Sequence, residues 1–351
     1  MNKKFLIYGV GLAILGILVY LQFSHWKNFD WATFWSQWAR INPLRILTAV
    51  CLIYITYLLR ALRWKILIRS ARPHSSWMQL ASSTVVGFTG LALLGRPGEL
   101  IRPYLIARRE NLNFSSQMAA WTVERIFDIG AFTVLLTLAV FFPGTALHLL
   151  PNYRGIEIFG LLFLALTAGV TFGAILLSKY GEGVSGWVEI RFSHLAKNLG
   201  ARIAERLREF HSGLDTIHDP TAFFQLVAVS LAIWSFVAFS YLEVVRAYGD
   251  SLSYMTLSKI FPLMGSSMVG SLIQLPGVGG GSQLGTISAM QLVYKAPPEL
   301  AASCGILLWL VTFVSVVPAG LILAHYESLS LRKLSQESQQ EEARAEGAPH
   351  A

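Results

Sequence analysis

The stretch Leu93–Glu110, LLGRPGELIRPYLIARRE, joins an apolar run to a segment that carries four arginines and two glutamates. Pro97 removes a backbone N–H donor, while Gly95 and Gly98 permit backbone angles that other residues avoid. The segment before this break, 77–95, is apolar and rich in Gly, Ser and Thr. The stretch is therefore either a loop that leaves a membrane helix or a break that brings charge into the membrane.

The composition of the chain indicates its class. Of 351 residues, 54% are hydrophobic and only 14% are charged, whereas soluble domains have roughly 25% charged residues. Too few polar residues exist to cover a soluble surface, so the sequence predicts an all-α integral membrane protein. The net charge is +8. The basic residues flank apolar segments and form no basic domain, which argues against nucleic acid as a partner.

Apolar segments long enough to cross a membrane, about 20 residues, recur along the chain, and two others end in Gly/Pro breaks. We predict six full transmembrane helices near 5–22, 44–64, 126–143, 156–178, 221–245 and 302–325, and broken segments at 77–95 and 255–275. These segments predict five regions: a first helix with an outer interfacial loop (1–43), a first membrane repeat (44–143), a linking helix with a cytoplasmic amphipathic stretch (144–220), a second repeat (221–326) and a disordered cytoplasmic tail (327–351).

Basic residues orient these spans. The segment 60–72, RALRWKILIRSAR, has five basic residues and no acid, whereas 144–155 has one arginine and 247–258 has none. Because positive loops stay inside, both termini are expected in the cytoplasm. Arg60, Arg63 and Trp64 are typical of an anchor at the membrane interface.

The same counting raises a conflict at the first break. Segment 77–95 lies between two basic clusters, 60–72 and 96–109, and a full crossing would put the second cluster outside. A re-entrant hairpin, which dips into the membrane and returns to the same side, removes this conflict. Such irregular backbone is tolerated where it is buried in protein or faces a water-filled cavity.

An internal repeat connects the two breaks. A shift of 183 residues aligns SSTVVGFTG (82–90) with GSSMVGSLI (265–273), which places Gly87 on Gly270, and it also places Gly98 on Gly281. The shift maps the second span onto the fifth and the third onto the sixth. Each unit then reads span, broken hairpin, span, and the topology makes the two units inverted, as in many secondary transporters.

Three motifs support a resemblance: GRPGELIRPYL (95–105), WTVERIFD (121–128) and LPGVGGGSQ (275–283). With them, the chain over about 40–325 resembles the lysylphosphatidylglycerol synthase transmembrane, flippase-like family, whose best-known members are the flippase parts of the multiple peptide resistance factors. That family often has a glutamate after the second break, where this chain has Ser282 and Gln283. No synthase domain follows residue 325, so the resemblance implies lipid handling rather than synthesis.

Charged residues near the first break are candidates for binding a lipid headgroup. Arg96 and Arg102 lie beside a half-helix N-terminus, whose positive dipole end suits an anion, and guanidinium groups match phosphate oxygens. Glu99 lies one helical turn before Arg102, so the two can pair. The alternative is a plain loop whose arginines reach the cytoplasmic headgroups.

Glu124, Arg125 and Asp128 lie at the start of the third span. Ionisable residues in a span cost several kcal/mol unless they are paired, which indicates either a lipid-binding and coupling role or a structural ion-pair network. We predict a headgroup site formed by Arg96, Glu99, Arg102, Arg125 and Gln283. We predict a coupling or ion-pair network formed by Glu124 and Asp128.

The second break is dense in glycine but lacks the Lys-Ser/Thr ending of a nucleotide-binding loop. Either its Ser282 and Gln283 bond a headgroup, or it is a tight turn with small-residue packing. The predicted hairpin breaks are Gly95, Pro97, Gly98, Pro276, Gly277, Gly279, Gly280 and Gly281.

These observations favour a flippase or transporter that moves an anionic or aminoacylated (glyco)phospholipid between leaflets of the bacterial cell (inner) membrane. A scaffold or accessory subunit is the alternative, and a lipid-modifying enzyme is less favoured because no catalytic constellation is evident. We expect no metal site and no cofactor. The expected partners are membrane phospholipid and a separate lipid-modifying enzyme.

Overall fold

The computed structural model describes residues 29–141, 154–169 apart from 159, 163 and 166, 219–272, 274–275 and 279–326. The described residues are mostly helical, with one pair of two-residue strands. The predicted first span, the end of the fourth span, the polar stretch before Asp219 and the tail from residue 327 lie outside the described residues.

The elements follow one another in a simple order. They are α1 (Trp31–Ala39), α2 (Pro43–Leu67), α3 (Trp77–Leu94), a 3₁₀ turn (Arg96–Leu100), α4 (Ile101–Arg109), α5 (Phe114–Phe141), a helical stretch within 154–169, α6 (Pro220–Arg246), α7 (Leu257–Gly270), β1 (Gln274–Leu275), β2 (Gly279–Gly280), α8 (Gly281–Leu292) and α9 (Pro298–Tyr326). Residues Leu310–Val314 of α9 form a π-helical turn.

Several of these helices suit a membrane. In the described part of the chain, α2, α3, α6 and α9 are long and apolar enough to cross one. The helix α5 has 28 residues. It begins at Phe114, twelve residues before the predicted start of the third span, so Glu124, Arg125 and Asp128 lie inside the helix rather than at its start. The protein is an integral membrane protein with several apolar helices.

The helices α2 and α6 pack side by side in opposite directions. Arg45 Nη1 lies 2.9 Å from Glu243 Oε2 at one end of the pair, and Arg69 Nη2 lies 2.8 Å from Asp219 Oδ2 at the other. Helix α3 starts near the end of α2, and α7 starts near the end of α6. The segments that follow α2 and α6 therefore begin at opposite ends of this pair.

The first hairpin, α3 to α4, turns back on itself. Gly95 ends α3 with a φ of 70°, a conformation that favours glycine. Along the returning arm, Gly98 packs on Gly90, and Arg109 Nη1 donates to the Gln79 carbonyl at 2.8 Å. The 18 residues of α3 span roughly 27 Å, close to the hydrocarbon thickness of about 30 Å. Length alone therefore does not identify α3 as a full span, but the return of α4 identifies a hairpin.

The second hairpin, α7 to α8, has a different tip. Strands β1 and β2 pair antiparallel there, with Gln274 opposite Gly280 and Leu275 opposite Gly279. Gly280 has a φ of 80°. The predicted broken helix at 255–275 is thus a helix that ends at Gly270 and a short strand ladder. Glycines weaken a helix, and a Pro-Gly pair favours a turn, which together explain the change.

Each hairpin has a close contact between its own two arms, and these two contacts lie at corresponding positions. In the first, the Arg102 Cα lies 3.0 Å from the place of a Cβ on Gly87; in the second, the Gly285 Cα lies 3.3 Å from the place of a Cβ on Gly270. The partners in both pairs differ by the 183-residue shift. The guanidinium of Arg102 has no counterpart in the second hairpin, because its place there is taken by Gly285.

The apolar core is divided by a polar layer. Along α5, Ala119 and Val123 belong to one buried apolar cluster, whereas Phe132 and Leu136 belong to another. The charged residues of α5 lie between these two clusters. Apolar packing therefore encloses the charges from both sides along the helix.

Candidate functional site

Six ionisable side chains meet inside the protein and form what we call the charge cluster. Four guanidinium groups and two carboxylates carry a formal net charge of +2, and the carboxylate of Glu99 offsets part of it by acting on Arg125 from beside the cluster. Five of the six residues are buried, and the side chain of Arg125 is 36% exposed. The members are Arg60 and Arg63 from α2, Arg102 from α4, and Glu124, Arg125 and Asp128 from α5.

Helical spacing brings these groups together. Arg60 and Arg63 are three residues apart, and Glu124 and Asp128 are four apart, so each pair lies on one face of its helix. Glu124 and Asp128 lie roughly 15 and 21 Å along α5 from its first residue, at 1.5 Å per residue. If α5 starts near an interface, these carboxylates lie close to the middle of a hydrocarbon layer about 30 Å thick.

Arg63 joins the two carboxylates. Its Nη2 donates to Glu124 Oε1 at 2.6 Å, and its Nη1 donates to Asp128 Oδ1 and to Ser230 Oγ, both at 2.8 Å. Trp234 Nε1 donates to the same Asp128 oxygen at 3.1 Å. Arg63 thereby fastens α2 to α5 and α6. The side chains of Arg63, Glu124 and Asp128 are all buried at this point.

Arg102 fastens the first hairpin to the same carboxylate. Both of its terminal nitrogens donate to the two oxygens of Glu124, with Nη1 at 3.0 Å from Oε1, and such bidentate pairs are strong. Its guanidinium carbon lies 4.4 Å from the ring centroid of Trp64. Arg102 therefore pairs with Glu124 and not with Glu99, the partner that one-turn spacing predicts.

Arg60 and Arg125 are held more loosely. Arg60 Nη1 lies 3.5 Å from Asp128 Oδ2, and Arg125 Nη2 lies 3.4 Å from that oxygen and 3.6 Å from Glu124 Oε2. These distances exceed those of normal N–H···O hydrogen bonds. The two arginines therefore keep more hydrogen-bonding capacity for a ligand than Arg63 and Arg102 do.

A small pocket lies beside the cluster, between the first hairpin and α5. We call it the tip pocket; its volume is about 20 Å³. The guanidinium of Arg125 lies 5.8 Å from the Trp121 ring in its wall. Its lining residues are Gly87, Phe88, Leu91, Glu99, Arg102, Trp121 and Arg125.

A larger space, the central cavity, lies on the other side of Phe88. It has a volume of about 140 Å³ and is bounded by α2, α3, α6, α7 and α9. Arg60 lines this cavity, and hydroxyl groups from α2, α6, α7 and α9 share the wall with apolar side chains. The lining hydroxyls belong to Thr56, Tyr57, Tyr241, Ser267, Ser271 and Thr312.

The structure brings most of the sequence-predicted site residues together. Glu99, Arg102 and Arg125 line the tip pocket, and Glu124 and Asp128 lie in the charge cluster. Arg96 belongs to the 3₁₀ turn, and its side chain lies outside the described residues. Gln283 accepts a hydrogen bond from the Gly280 N–H at 2.8 Å, so it caps α8 at the second hairpin.

The last turns of α2 are largely buried, where the sequence predicted an anchor at the membrane interface. Arg60, Arg63 and Trp64 were expected at the membrane interface, but all three are buried. This prediction is wrong because their partners, Glu124, Asp128 and the first hairpin, are distant in sequence. Two of the five basic residues counted for orientation therefore do not face water. The signal was a pair of arginines one turn apart, directly after an apolar run.

The predicted breaks take different forms. Pro97 lies in the 3₁₀ turn that follows Gly95. Gly98 packs on Gly90 so closely that no side chain fits between them. Gly279 and Gly280 form β2, and Gly281 is the first residue of α8. Pro276 and Gly277 lie outside the described residues.

Two proteins of Methanothermobacter thermautotrophicus (strain Delta H), each called a UPF0104 membrane protein, are similar to the chain. One is 23% identical over 312 residues, covering 82% of this chain and 86% of the relative. The other is 23% identical over 330 residues, covering 92% and 93%. No solved structure is significantly similar.

A family model matches residues 7–320, which include the charge cluster and both hairpins. The same range contains all three motifs on which the resemblance was based. The chain belongs to the family described as the lysylphosphatidylglycerol synthase transmembrane region.

Proposed function

We propose that the protein is a flippase or transporter that moves an anionic or aminoacylated (glyco)phospholipid between the two leaflets of its membrane. The headgroup binds at the tip pocket, while the acyl chains stay in the surrounding lipid. Family membership supports a role in lipid handling. The charge cluster supports an anionic or zwitterionic headgroup.

The observation that carries the proposal is the excess of buried positive charge. Unbalanced charge in a low-dielectric interior costs several kcal/mol, and a phosphate group offsets this cost while accepting hydrogen bonds from guanidinium groups. Arg125 is the suitable contact, since its side chain is partly exposed and its ion pairs are 3.4 and 3.6 Å long. Arg102, fixed by Glu124, positions the pocket wall.

An aminoacylated headgroup also carries an ammonium group. Glu99 offers a carboxylate in the tip pocket, and Phe88 and Trp121 offer aromatic faces that attract cations. The volume of about 20 Å³ holds little more than one water. We therefore propose that the first hairpin separates from α5 when a headgroup binds.

The arrangement of the hairpins supports alternating access as the mechanism of transport. We propose that the two units form an inverted repeat and that each hairpin enters the membrane from a different side. The opposite starting points of the hairpins and the corresponding contacts of Gly87 and Gly270 support this. Phe88 of one hairpin and Ser271 after α7 line the same cavity. Movement of one unit against the other then exposes the site to each face in turn.

We further propose that the lipid is moved without covalent change. Glu124 and Asp128 are both paired with arginines, which suits them to binding and positioning. A separate membrane enzyme then supplies the lipid. In the bacterial inner membrane, both termini are expected on the cytoplasmic side, and Arg96 and Gln283 are expected to contact the headgroup as the hairpins move.

Transport can be tested with the full chain in lipid vesicles. A fluorescent phosphatidylglycerol that starts in the inner leaflet should become accessible to an external quencher in vesicles with protein. Arg125→Gln should slow this movement roughly tenfold or more, because charge-assisted hydrogen bonds contribute about 1.5–3 kcal/mol. Arg69→Gln, which breaks an exposed ion pair far from the pocket, serves as the charge-matched control.

The alternatives give different results in the same vesicles. The transport proposal is contradicted if lipid moves between leaflets as fast in protein-free vesicles as in vesicles with protein. It is also contradicted if lipid moves as fast with Arg125→Gln as with the wild type. A chemically altered lipid recovered from the vesicles indicates an enzyme. Bound lipid that never changes leaflet indicates a scaffold or accessory subunit.

A further inference from the structure

The central cavity contains an arginine that the proposed headgroup site does not use. Arg60 is buried, yet within the described chain it makes no hydrogen bond. Its Nη1 lies 3.5 Å from Asp128 Oδ2, and its guanidinium carbon lies 5.1 Å from the centroid of the Phe88 ring. A guanidinium has five N–H donors, and buried donors are normally satisfied. Arg60 lines the cavity, so its N–H groups are available to an acceptor placed there.

We propose that the central cavity is a second phosphate-binding site, in which Arg60 holds the anion on the opposite side of Phe88 from the tip pocket. The ligand is a phosphate group, either that of a lipid headgroup or free phosphate. The inference goes beyond the proposed function, since it requires binding at this cavity whether or not a lipid crosses the membrane.

A hydroxyl group in the wall of the same cavity adds a second donor. Tyr241 OH donates to Ser267 Oγ at 3.2 Å, which leaves the hydroxyl proton of Ser267 for another acceptor. The hydroxyls of Thr56, Thr312, Ser271 and Tyr57 donate to backbone carbonyls, so they contribute no such proton. Arg60 and Ser267 are therefore the donor pair for an anion, and α2 and α7 share the site.

The wall of the cavity also contains irregular backbone. Thr312 and Phe313 lie in the π-helical turn of α9, where the Ser315 N–H donates to the Leu310 carbonyl at 2.8 Å. Single π-helical turns often occur at functional sites. This turn is an observation independent of Arg60, and it points to the same cavity.

The volume of the cavity limits its occupant. At about 140 Å³, it is smaller than the roughly 300–1,000 Å³ of sites that enclose drug-sized ligands. A phosphate with part of a headgroup suits this space better than a whole lipid. Asp128 Oδ2 contacts both Arg60 and Arg125, so one carboxylate connects the second site with the tip pocket.

Binding stoichiometry tests the inference. The full chain in detergent is titrated with short-chain phosphatidylglycerol, inorganic phosphate and short-chain diacylglycerol, and bound molecules are counted by native mass spectrometry. The wild type should bind two molecules of phosphatidylglycerol. Arg60→Gln should weaken one of them roughly tenfold to a hundredfold, because it removes a charge-assisted hydrogen bond.

A second variant controls for the case in which Arg60→Gln loses binding only because it misfolds. Val237→Phe narrows the cavity without changing charge, since Val237 lines it, and it should remove the same binding event. Arg69→Gln should still bind two molecules of phosphatidylglycerol. Inorganic phosphate that competes for the Arg60-dependent site identifies free phosphate as a ligand, whereas binding of phosphatidylglycerol alone identifies a lipid headgroup; both results support the site.

Other outcomes overturn the inference. It fails if the wild type binds one phosphatidylglycerol, if both Arg60→Gln and Val237→Phe keep two, or if diacylglycerol occupies the cavity equally well. Leaflet movement measured on the same proteins separates the two proposals. Transport with one bound lipid removes the second site alone, and two bound lipids without transport remove the proposed function alone.

Discussion

Gly87 of α3 and Arg102 of α4 meet with no space for a side chain between them. A Cβ on Gly87 would overlap the Arg102 Cβ and lie 3.0 Å from its Cα. This contact sets the level at which α4 returns along α3. At that level, the guanidinium of Arg102 lies over Trp64 and pairs with Glu124. The smallest residue in the first hairpin thus determines where its buried charge lies.

Gly87→Ala should therefore destabilise the protein. The added methyl group meets the Cβ and backbone of Arg102, which cannot rotate away, and overpacking of this kind costs about 1–3 kcal/mol. Thermal unfolding in detergent should show a lower midpoint, and headgroup binding should weaken because Arg102 is displaced from Glu124.

A glycine in α5 gives the control. A Cβ on Gly130 meets nothing within 4 Å, so Gly130→Ala should leave stability unchanged or raise it by up to about 1 kcal/mol through helix propensity. Equal midpoints for Gly87→Ala and Gly130→Ala would show that the two arms of the hairpin are not in close contact.

Gly285→Ala tests the corresponding contact in the second hairpin. Its methyl group would overlap the Ser266 carbonyl oxygen and lie 3.4 Å from the Gly270 Cα. We expect a loss of stability similar to that of Gly87→Ala, again about 1–3 kcal/mol. No charge of the cluster lies at this position, so binding of phosphatidylglycerol at the tip pocket should remain. A loss of binding without a change in midpoint would contradict this separation of roles.

Much of the helical framework could be predicted because it depends on local sequence. The long apolar runs predicted α2, α6 and α9 within four residues of their observed ends, and the Gly-Pro break predicted the turn of the first hairpin. The strand pair at the second tip was missed. Its pairing is between Gln274 and Gly280, and neither residue belongs to a strand-forming pattern.

The site was predictable only where its partners are near in sequence. One helical turn connects Arg125 to Asp128, and their nitrogen and oxygen lie 3.4 Å apart, as the spacing predicts. Arg63 lies 61 residues from Glu124, so only the packing of α2 on α5 brings the two together. Counting charges near the end of a span assigned Arg63 to water, although buried carboxylates hold it in the core.

Glu124→Gln should be strongly destabilising. The change keeps the shape of the side chain but leaves Arg63 and Arg102 without the carboxylate that each contacts. Removing one partner of a buried ion pair costs about 3–5 kcal/mol. Thermal unfolding and the yield of folded protein should both fall.

Glu243→Gln is the matched control for this change. Glu243 pairs with Arg45 near the surface, where such pairs contribute about 0–1 kcal/mol. A midpoint for Glu124→Gln as high as that for Glu243→Gln would mean that water, rather than the arginines, stabilises Glu124. The charge cluster would then be an exposed network.

Cysteine labelling tests whether each hairpin returns to the side on which it starts. Cys51 is exposed and Cys304 is buried, so both are first replaced by serine and alanine. Ser76 precedes α3 and Asn113 follows α4, whereas Thr256 precedes α7 and Lys295 follows α8; all four are exposed. Because α3 and α7 begin at opposite ends of the α2–α6 pair, we expect cysteines at 76 and 113 to react with a membrane-impermeant reagent from one side. Cysteines at 256 and 295 should react from the other. Reaction of 76 and 113 from different sides would mean that the first hairpin crosses the membrane. That result would contradict the re-entrant arrangement on which the lipid-binding proposal rests.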